Sequence, residues 1–147
     1  MITLRQFTEE DAETVCGKLC PGTGEDEARG LIREWNSGAF EGKPFQMYAV
    51  ICEGRIAGSV SLYERSKSAV SVGIELLPEY RGAGCASEAM GRILEIAAQR
   101  GYRLAVDQVR ADNAASIRLH EKLGFETDGY IYKNRNDRQV LLYYKAL

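Results

Sequence analysis

The sequence predicts a single α/β domain built on a mixed, mostly antiparallel sheet of about seven strands, with about four helices. Two observations support this prediction. Segments with the two-residue period of strands and the 3.6-residue period of helices follow one another in the order β-α-α-β-β-β-α-β-α-β-β. The 147 residues suffice for one hydrophobic core, and no linker, repeat or low-complexity stretch divides them. We therefore expect residues 1–147 to form one domain.

The N-terminal part predicts one strand and two helices. Residues 2–7 alternate apolar and polar side chains, as a strand does. Thr8-Glu9-Glu10-Asp11 resembles a capping box, so a helix should begin there and end near Cys20, before Pro21-Gly22. A second helix is expected over residues 25–36, and a loop over residues 38–44. The apolar face of the second helix carries Ala28, Leu31, Ile32 and Trp35.

The remaining elements follow from turn residues and periodicity. Glu53-Gly54 predicts a tight turn between two strands of a hairpin, and Gly101 and Gly124 are typical helix ends. We expect strands over residues 46–52, 55–63, 69–77, 104–109, 125–132 and 139–145, and helices over 85–100 and 113–123. The strands that end at Leu77 and Val109 each precede a helix and should be parallel neighbours, with a ligand site at their carboxyl ends.

Composition excludes several classes of function. The net charge of −2 gives no indication of nucleic-acid binding, and no apolar run approaches the ~20 residues that span a bilayer. The N-terminus lacks the basic and apolar regions of an export signal. The four cysteines include no C-x-x-C pair, so we expect no metal site. These features favour reduced thiols and a cytoplasmic location.

The most informative segment is the glycine turn, defined as residues 81–86, Arg81-Gly82-Ala83-Gly84-Cys85-Ala86. It lies between a predicted strand and a predicted helix, whose first N–H groups and macrodipole favour a phosphate group. Arg81 adds a guanidinium for phosphate oxygens. Neither the P-loop nor the dinucleotide fingerprint fits the spacing of these glycines. A plain strand-to-helix connection remains the alternative.

A second constellation follows the strand that ends at Val109. Asn113, Ser116 and His120 lie on one face of the next predicted helix, because they are spaced i, i+3 and i+7. Such a polar stripe is often only a solvated face. The only histidine of the chain, placed beside Asn and Ser after a second parallel strand, instead favours a binding or catalytic site.

Together the two segments make the chain similar to the GNAT superfamily of acyl-CoA-dependent N-acyltransferases, and the similarity covers nearly the whole chain. The glycine turn matches the pattern [Q/R]-x-x-G-x-[G/A]. The second pattern, N-x-x-S-x-x-L-x-x-x-x-G-F, is matched by Asn113, Ser116, Leu119, Gly124 and Phe125. In the residues within and around these two motifs, the chain most resembles ribosomal-protein N-terminal acetyltransferases and acetyltransferases of the phosphinothricin-resistance type.

This resemblance implies a co-substrate and its pose. Acetyl-CoA would lie where the two parallel strands splay apart, with its pantetheine amides pairing with the backbone near Leu76 and Leu77. Its pyrophosphate would be held by the N–H groups of the glycine turn. Asn113 would contact the pantetheine arm, and Ser116 would lie farther along the cofactor. The implied binding residues are Leu76, Leu77, Arg81, Gly82, Ala83, Gly84, Cys85, Ala86, Asn113 and Ser116.

The resemblance also implies direct acetyl transfer to a primary amine of a small molecule or of a protein or peptide N-terminus. His120 stands where many members carry a tyrosine that protonates the leaving thiolate, so we expect it to face the thioester sulfur. Gln108 replaces a glutamate that serves as base in some relatives, which leaves Glu75 or a water chain for that task. A non-catalytic acetyl-CoA sensor is the alternative function. A homodimer is compatible with this reading.

Overall fold

The computed structural model describes residues 1–147 and contains one eight-stranded sheet flanked by four helices. The strand order across the sheet is β1-β3-β4-β5-β6-β8-β7, with the short β2 paired to β3. Only β5 and β6 are parallel; the other neighbours are antiparallel. The strands are β1 (Ile2–Gln6), β2 (Ala39–Phe40), β3 (Lys43–Cys52), β4 (Arg55–Glu64), β5 (Ala69–Leu76), β6 (Leu104–Arg110), β7 (Glu126–Lys133) and β8 (Gln139–Ala146).

The first helical segment, α1, is irregular: a 3₁₀ turn (Glu9–Asp11), one α-helical turn (Ala12–Thr14) and a π-turn (Val15–Leu19). Its start is capped as predicted, because the Asp11 carboxylate accepts from the Thr8 N–H at 2.8 Å. The regular helices are α2 (Glu25–Trp35), α3 (Cys85–Gln99) and α4 (Ala114–Lys122), and a 3₁₀ turn, Pro78–Tyr80, precedes the glycine turn. None of these helices combines the length and apolarity needed to cross a bilayer.

The predicted fold class and element order are confirmed, with one local difference. Residues 38–44, expected to be a loop, contain β2, which pairs with the start of β3. The hairpin closes because Glu41 and Gly42 both adopt positive φ, at 50° and 78°. Glycine signals this conformation in a sequence, whereas glutamate does not.

The core lies on both faces of the sheet. The larger cluster fills the face that α3 covers and includes Val60, Leu62, Met90 and Ile93, each at most 1% exposed. The smaller cluster packs α1 and α2 against the opposite face around Phe7, Ala49, Val15 and Ile32. One face of β5 is therefore covered by α3, and its other face points toward the region beside α1.

The parallel pair β5–β6 is joined along only two residue pairs, Ala69–Leu104 and Val70–Ala105. Beyond them, side chains rather than the backbone bridge the strands. Ser71 Oγ donates to the Val106 carbonyl at 2.6 Å, and the Asp107 carboxylate accepts from the Val72 N–H at 2.9 Å. The strands then separate, so an open gap forms along the last residues of β5. The predicted splay of two parallel strands is thus confirmed.

Asp107 also fixes α4 to the sheet. Its second oxygen accepts from His120 Nε2 at 2.9 Å, and His120 Nδ1 donates to the Ser116 carbonyl at 2.8 Å. Both side chains are buried, at 6% and 5% exposure. Phe125 and Tyr143 pack against the imidazole, with ring centroids at 4.8 and 5.6 Å. Because both nitrogens face acceptors, the doubly protonated ring satisfies both.

The ionisation of His120 follows from these contacts. Burial lowers its pKa, but the hydrogen bonds to Asp107 and to the Ser116 carbonyl, together with the Asp107 charge, outweigh burial. The pKa of His120 is therefore raised above its ordinary value of 6.5. A raised pKa in the folded state means that the pair stabilises the fold fully below about pH 6.5 and loses this contribution as the pH rises through the folded-state value.

We predict that His120→Gln lowers the free energy of unfolding by about 3–5 kcal/mol near pH 6, because one partner of a buried pair is lost. The difference from wild type should shrink steadily as the pH is raised to 9. Urea unfolding across this range measures it, and no other histidine confuses the titration, since the chain has only one. A difference that stays constant over the range would show that His120 does not ionise there.

Candidate active site

A cavity occupies the gap between the end of β5 and α4, below the first turn of α3. Its volume is about 640 Å³. The two segments that the sequence singled out form opposite walls of this cavity, so the structure brings them together. The lining residues are Ile74, Glu75, Leu76, Arg81, Gly82, Gly84, Ala86, Ser87, Asn113, Ala115, Ser116, Arg118, Leu119 and Lys122.

The glycine turn presents an uninterrupted row of hydrogen-bond donors. None of the six backbone N–H groups from Gly82 to Ser87 donates to another atom of the protein. Gly82 and Gly84 hold the row in place with φ of 78° and 86°, a region that favours glycine. The positive end of the α3 macrodipole lies at the same point. This arrangement fits the pyrophosphate of a coenzyme A molecule, because unpaired N–H groups at a helix N-terminus bind phosphate oxygens.

Two residues of the glycine turn lie outside the cavity lining. Cys85 is buried under the turn, at 9% exposure, and Ala83 is exposed at its tip. Their side chains do not line the cavity, but their N–H groups belong to the unpaired row. Any contribution of these two residues to ligand binding would thus come from the main chain alone.

Arg81 is held across the mouth of the gap. Its Nε donates to the Leu76 carbonyl at 3.0 Å, which leaves its two terminal nitrogens without a protein partner. The predicted guanidinium for phosphate is therefore present, but it also occupies the carbonyl that was expected to pair with pantetheine. Any ligand that pairs with the Leu76 carbonyl must displace this hydrogen bond.

Only every second residue of β5 turns its backbone N–H and carbonyl groups toward the gap. The Val72 N–H points toward β6, as its hydrogen bond to Asp107 shows, so the N–H groups of Ile74 and Leu76 point the same way. The Leu77 N–H instead donates to the Ala57 carbonyl of β4 at 2.8 Å, and the Leu77 carbonyl accepts from Tyr80. Both backbone groups of Leu77 are thus engaged within the protein, which does not support the expected pairing of Leu77 with pantetheine. Ile74, which sequence reasoning missed, lines the cavity and by the two-residue alternation turns its backbone groups toward the gap.

β4 closely supports this part of β5. A Cβ atom at Gly58 would lie 2.0 Å from the Glu75 carbonyl oxygen and 2.8 Å from the Leu76 Cα. Real Cβ contacts are never so short, so only glycine permits this approach. Gly58 thereby keeps the end of β5 close to β4 while the opposite edge of β5 is open.

The N-terminus of α4 forms the other wall. Asn113 caps the helix, because its side-chain oxygen accepts from the Ser116 N–H at 3.1 Å. The amide nitrogen of Asn113 makes no hydrogen bond within the protein and remains available as a donor. Asn113 and Ser116 both line the cavity.

Glu75 lies on the cavity wall with an exposed side chain. It projects from the face of β5 that is opposite to α3, since its neighbours Ile74 and Leu76 pack toward the α3 core. Cys20, at the end of α1, is near enough to be affected: burial and then the Glu75 charge raise the pKa of that thiol. Gln108, by contrast, accepts from Asn134 at 3.3 Å and does not line the cavity.

His120 does not reach the cavity. It is buried against Phe125 and Tyr143, and both of its nitrogens already donate to protein oxygens. This placement does not support the expected role of proton donor to a thioester sulfur, which requires an N–H that faces the ligand. Its partner Asp107 went unnoticed in the sequence, although a carboxylate between the apolar positions Ala105 and Val109 of one strand face is a sign of a buried pair.

The comparisons with known proteins agree with this geometry. The profile of the family described as "Acetyltransferase (GNAT) domain" matches residues 1–126. A prophage-derived uncharacterized N-acetyltransferase of Bacillus subtilis, YokL, is 30% identical over 105 residues, which are 69% of this chain; the chain spans only 59% of that relative's length.

Two solved structures share the fold over nearly the whole chain. A RimL ribosomal L7/L12 alpha-N-protein acetyltransferase in complex with coenzyme A has a TM-score of 0.85 at 21% identity, covering 99% of this chain and 94% of the other. Spermidine N-acetyltransferase from Vibrio cholerae, in complex with CoA and spermine, has a TM-score of 0.74 at 18% identity, covering 99% and 95%. Because the family profile covers most of the chain and the fold agrees, this protein belongs to the GNAT acetyltransferase family.

Proposed function

We propose that the protein transfers the acetyl group of acetyl-CoA directly to a primary amine. The observation that carries the proposal is the row of six unpaired N–H groups in the same cavity as an open strand edge. The first of these features suits a pyrophosphate and the second suits an amide-containing arm. Coenzyme A carries both groups in one molecule.

The cavity residues would divide the binding of acetyl-CoA among them. The N–H groups from Gly82 to Ser87 would hold the pyrophosphate, and the terminal nitrogens of Arg81 would add two charged donors. The gap-facing groups of Ile74 and Leu76 would pair with the pantetheine amides in the manner of an added strand. The free amide nitrogen of Asn113 would donate to the same arm from the opposite wall.

The chemistry needs a deprotonated amine and a polarised thioester carbonyl. Glu75 is the carboxylate on the cavity wall and would accept the proton of the amine, directly or through water. A strand N–H of Ile74 or Leu76 would stabilise the negative charge on the carbonyl oxygen. Positioning the amine against the thioester can supply roughly 7–11 kcal/mol of the barrier reduction. No step requires a metal ion or a covalent intermediate on the protein.

His120 acts in this scheme by holding α4 rather than by giving up a proton. The thiolate of CoA would leave without a dedicated acid and take its proton from water. A non-catalytic acetyl-CoA-binding module is the alternative function, and it is favoured by the absence of any tyrosine, histidine or cysteine side chain from the residues that line the cavity. Release of free CoA in the presence of a panel of amines and peptides with free N-termini distinguishes the two.

The acceptor would enter from the side of β5 that carries Glu75. The related proteins with solved structures act, by their names, on a protein N-terminus and on spermidine. All of these acceptors are amines that are cationic in water, and the Glu75 carboxylate would attract them. We therefore assign a primary amine as the acceptor class. The free thiols of all four cysteines support a role in the cytoplasm.

We also propose that two copies of the chain pair through the sheet face formed by β6, β8 and β7. Leu104, Tyr132, Leu142 and Tyr144 lie on this face at 37–45% exposure, and β7 is an edge strand. The accessible surface is 8769 Å², whereas folded monomers of this size expose roughly 7,500 Å². The surface area that this chain exposes beyond that of a typical monomer is of the same order as the roughly 800 Å² that each partner buries in a standard interface.

Acetyl-CoA should raise the melting temperature, and we predict that Gly84→Glu abolishes the effect. At about 100 times Kd the ligand should add about 2.7 kcal/mol of stability. The variant places a carboxylate beside the pyrophosphate site and strains the turn. Gly22→Glu is the matched control, because Gly22 also has a positive φ, of 90°, but does not line the cavity. A wild-type protein that acetyl-CoA neither stabilises nor binds by calorimetry would refute the proposed function.

Glu75→Gln should lower kcat/KM by roughly 10²–10⁴ and flatten the acidic limb of the pH profile, because an amide cannot accept the proton of the amine. Affinity for acetyl-CoA should change little. Glu79→Gln removes the same charge four residues away, outside the cavity lining, and should be nearly silent. If Glu75→Gln keeps normal turnover and its pH dependence, water rather than Glu75 deprotonates the amine.

Light scattering across a concentration series should find a dimer of the wild-type chain, and Leu142→Glu should convert it to a monomer. The charge would be placed on the apolar face that we expect to be covered. Ile131→Glu serves as control: Ile131 is 58% exposed but stands opposite Leu141, on the side of the sheet that carries α4. A wild type that is monomeric at every concentration contradicts the pairing.

A further inference from the structure

Arg65, in the turn between β4 and β5, is exposed and yet held by specific contacts. Its Nε donates to Ser71 Oγ at 2.7 Å, and its guanidinium lies over the Tyr63 ring, 5.2 Å from the ring centre. Phe40 of β2 and Phe45 of β3 pack against Tyr63, with ring centroids 5.9 and 6.5 Å away. The hydrogen bond and the aromatic cluster together restrain this surface arginine.

Arg65 forms no ion pair within the protein. Its two terminal nitrogens make no hydrogen bond. Neither Arg65 nor Lys43, whose Nζ donates to the Arg65 carbonyl at 3.1 Å, belongs to any of the ion pairs. The adjacent Glu64 points to the opposite face of the sheet, where it accepts from the Tyr102 hydroxyl at 2.8 Å. A guanidinium that is held through Nε, with both terminal nitrogens free, presents two parallel donors that suit a carboxylate.

The same face of the sheet connects Arg65 with Glu75. Ser71, Gly73 and Glu75 alternate with the residues of β5 that pack toward α3, so all three point to the other face. Ser71 and Glu75 lie four positions apart, which separates them by about 13 Å along the strand. Gly73 between them is exposed, and a Cβ atom there would lie 3.1 Å from Ser61 Oγ on β4. An open strip of sheet therefore runs from the Glu75 end of the cavity to Arg65.

This strip, residues 71–75 with Arg65 at its far end, has opposite charges at its two ends. An extended peptide advances about 3.3–3.6 Å per residue, so a length of about 13 Å corresponds to roughly four residues. A terminal amine beside Glu75 would thus place the fourth side chain of a peptide near Arg65. A polyamine, which is cationic along its whole length, would instead meet like charges at Arg65 and Lys43.

We propose that the acceptor is a peptide or protein N-terminus with an acidic side chain near its fourth residue, and that Arg65 binds this side chain. The inference rests on the proposed function and narrows its acceptor class. The terminal amine would lie at Glu75, the chain would cross Gly73, and the acidic carboxylate would accept from both terminal nitrogens of Arg65. The strip lies on β4 and β5, beside the face of β6, β8 and β7 that we propose is covered in a dimer.

Rates of CoA release with two peptides that differ only at the fourth residue, glutamate or glutamine, test this assignment. Wild type should acetylate the glutamate peptide with a kcat/KM roughly three- to tenfold higher, as expected of one charge-assisted pair at a partly exposed site. Arg65→Gln should lower this value to that of the glutamine peptide, whose own value should not change. The affinity for acetyl-CoA, measured by calorimetry, should stay the same, since Arg65 does not line the cavity.

Two controls separate binding at Arg65 from a general attraction between charges. Lys67→Gln removes one positive charge from the same turn, but Lys67 neither donates to Ser71 nor stacks on Tyr63, so this variant should keep the discrimination. A peptide with its glutamate at the second residue has the same net charge but does not reach Arg65. It should react no faster than the glutamine peptide.

The outcomes separate this inference from the proposed function. Equal wild-type values for the glutamate and glutamine peptides would overturn the site at Arg65, and so would an equal loss in Lys67→Gln. A wild type that acetylates polyamines but neither peptide would also overturn it and would leave amine acetylation intact. If acetyl-CoA does not bind and no amine releases CoA, the proposed function fails and the inference fails with it. Circular dichroism of each variant shows that it is folded.

Discussion

The gap that defines this protein depends on one buried carboxylate. Asp107 stands at the point where β5 and β6 stop pairing, and it accepts from the Val72 N–H on one strand and from His120 on α4. Without an acceptor there, the Val72 N–H would be buried and unpaired, at a cost of about 1–3 kcal/mol. The same side chain thus satisfies the sheet at the branch point and ties α4 to it. The two walls of the cavity are set by a single residue.

The main chain supplies most of the groups that face the cavity. The unpaired N–H row of the glycine turn and the gap-facing edge of β5 are both backbone features, and glycines at 58, 82 and 84 make them possible. Side chains such as Asn113 and Arg81 add to that frame. A site of this kind places strong constraints on backbone conformation and weaker constraints on side-chain identity. This is consistent with structures of the same fold at identities of 21% or less.

Local patterns in the sequence predicted the element order, the parallel pair and the two walls of the cavity, because glycine spacing and helical periodicity are local properties. Contacts between distant segments were not predictable in the same way. The pairing of His120 with Asp107 joins residues 13 positions apart, and it turned a presumed proton donor into a buried anchor. The expectation at Leu77 lacks support for another reason: the hydrogen-bonding direction of a strand alternates from residue to residue, and its phase is revealed by bonds to distant segments, from Leu77 to Ala57 and from Val72 to Asp107.

The hydrogen bond from Arg81 to the Leu76 carbonyl has a consequence for the protein before any ligand arrives. The open side of β5 is a strand edge in the middle of a sheet, and such edges tend to pair with strands of other chains. By covering the last carbonyl of that edge with a positive charge, Arg81 makes it a poor template for aggregation. The residue that we propose binds phosphate would then also keep the empty protein soluble, and an uncharged replacement would expose the edge.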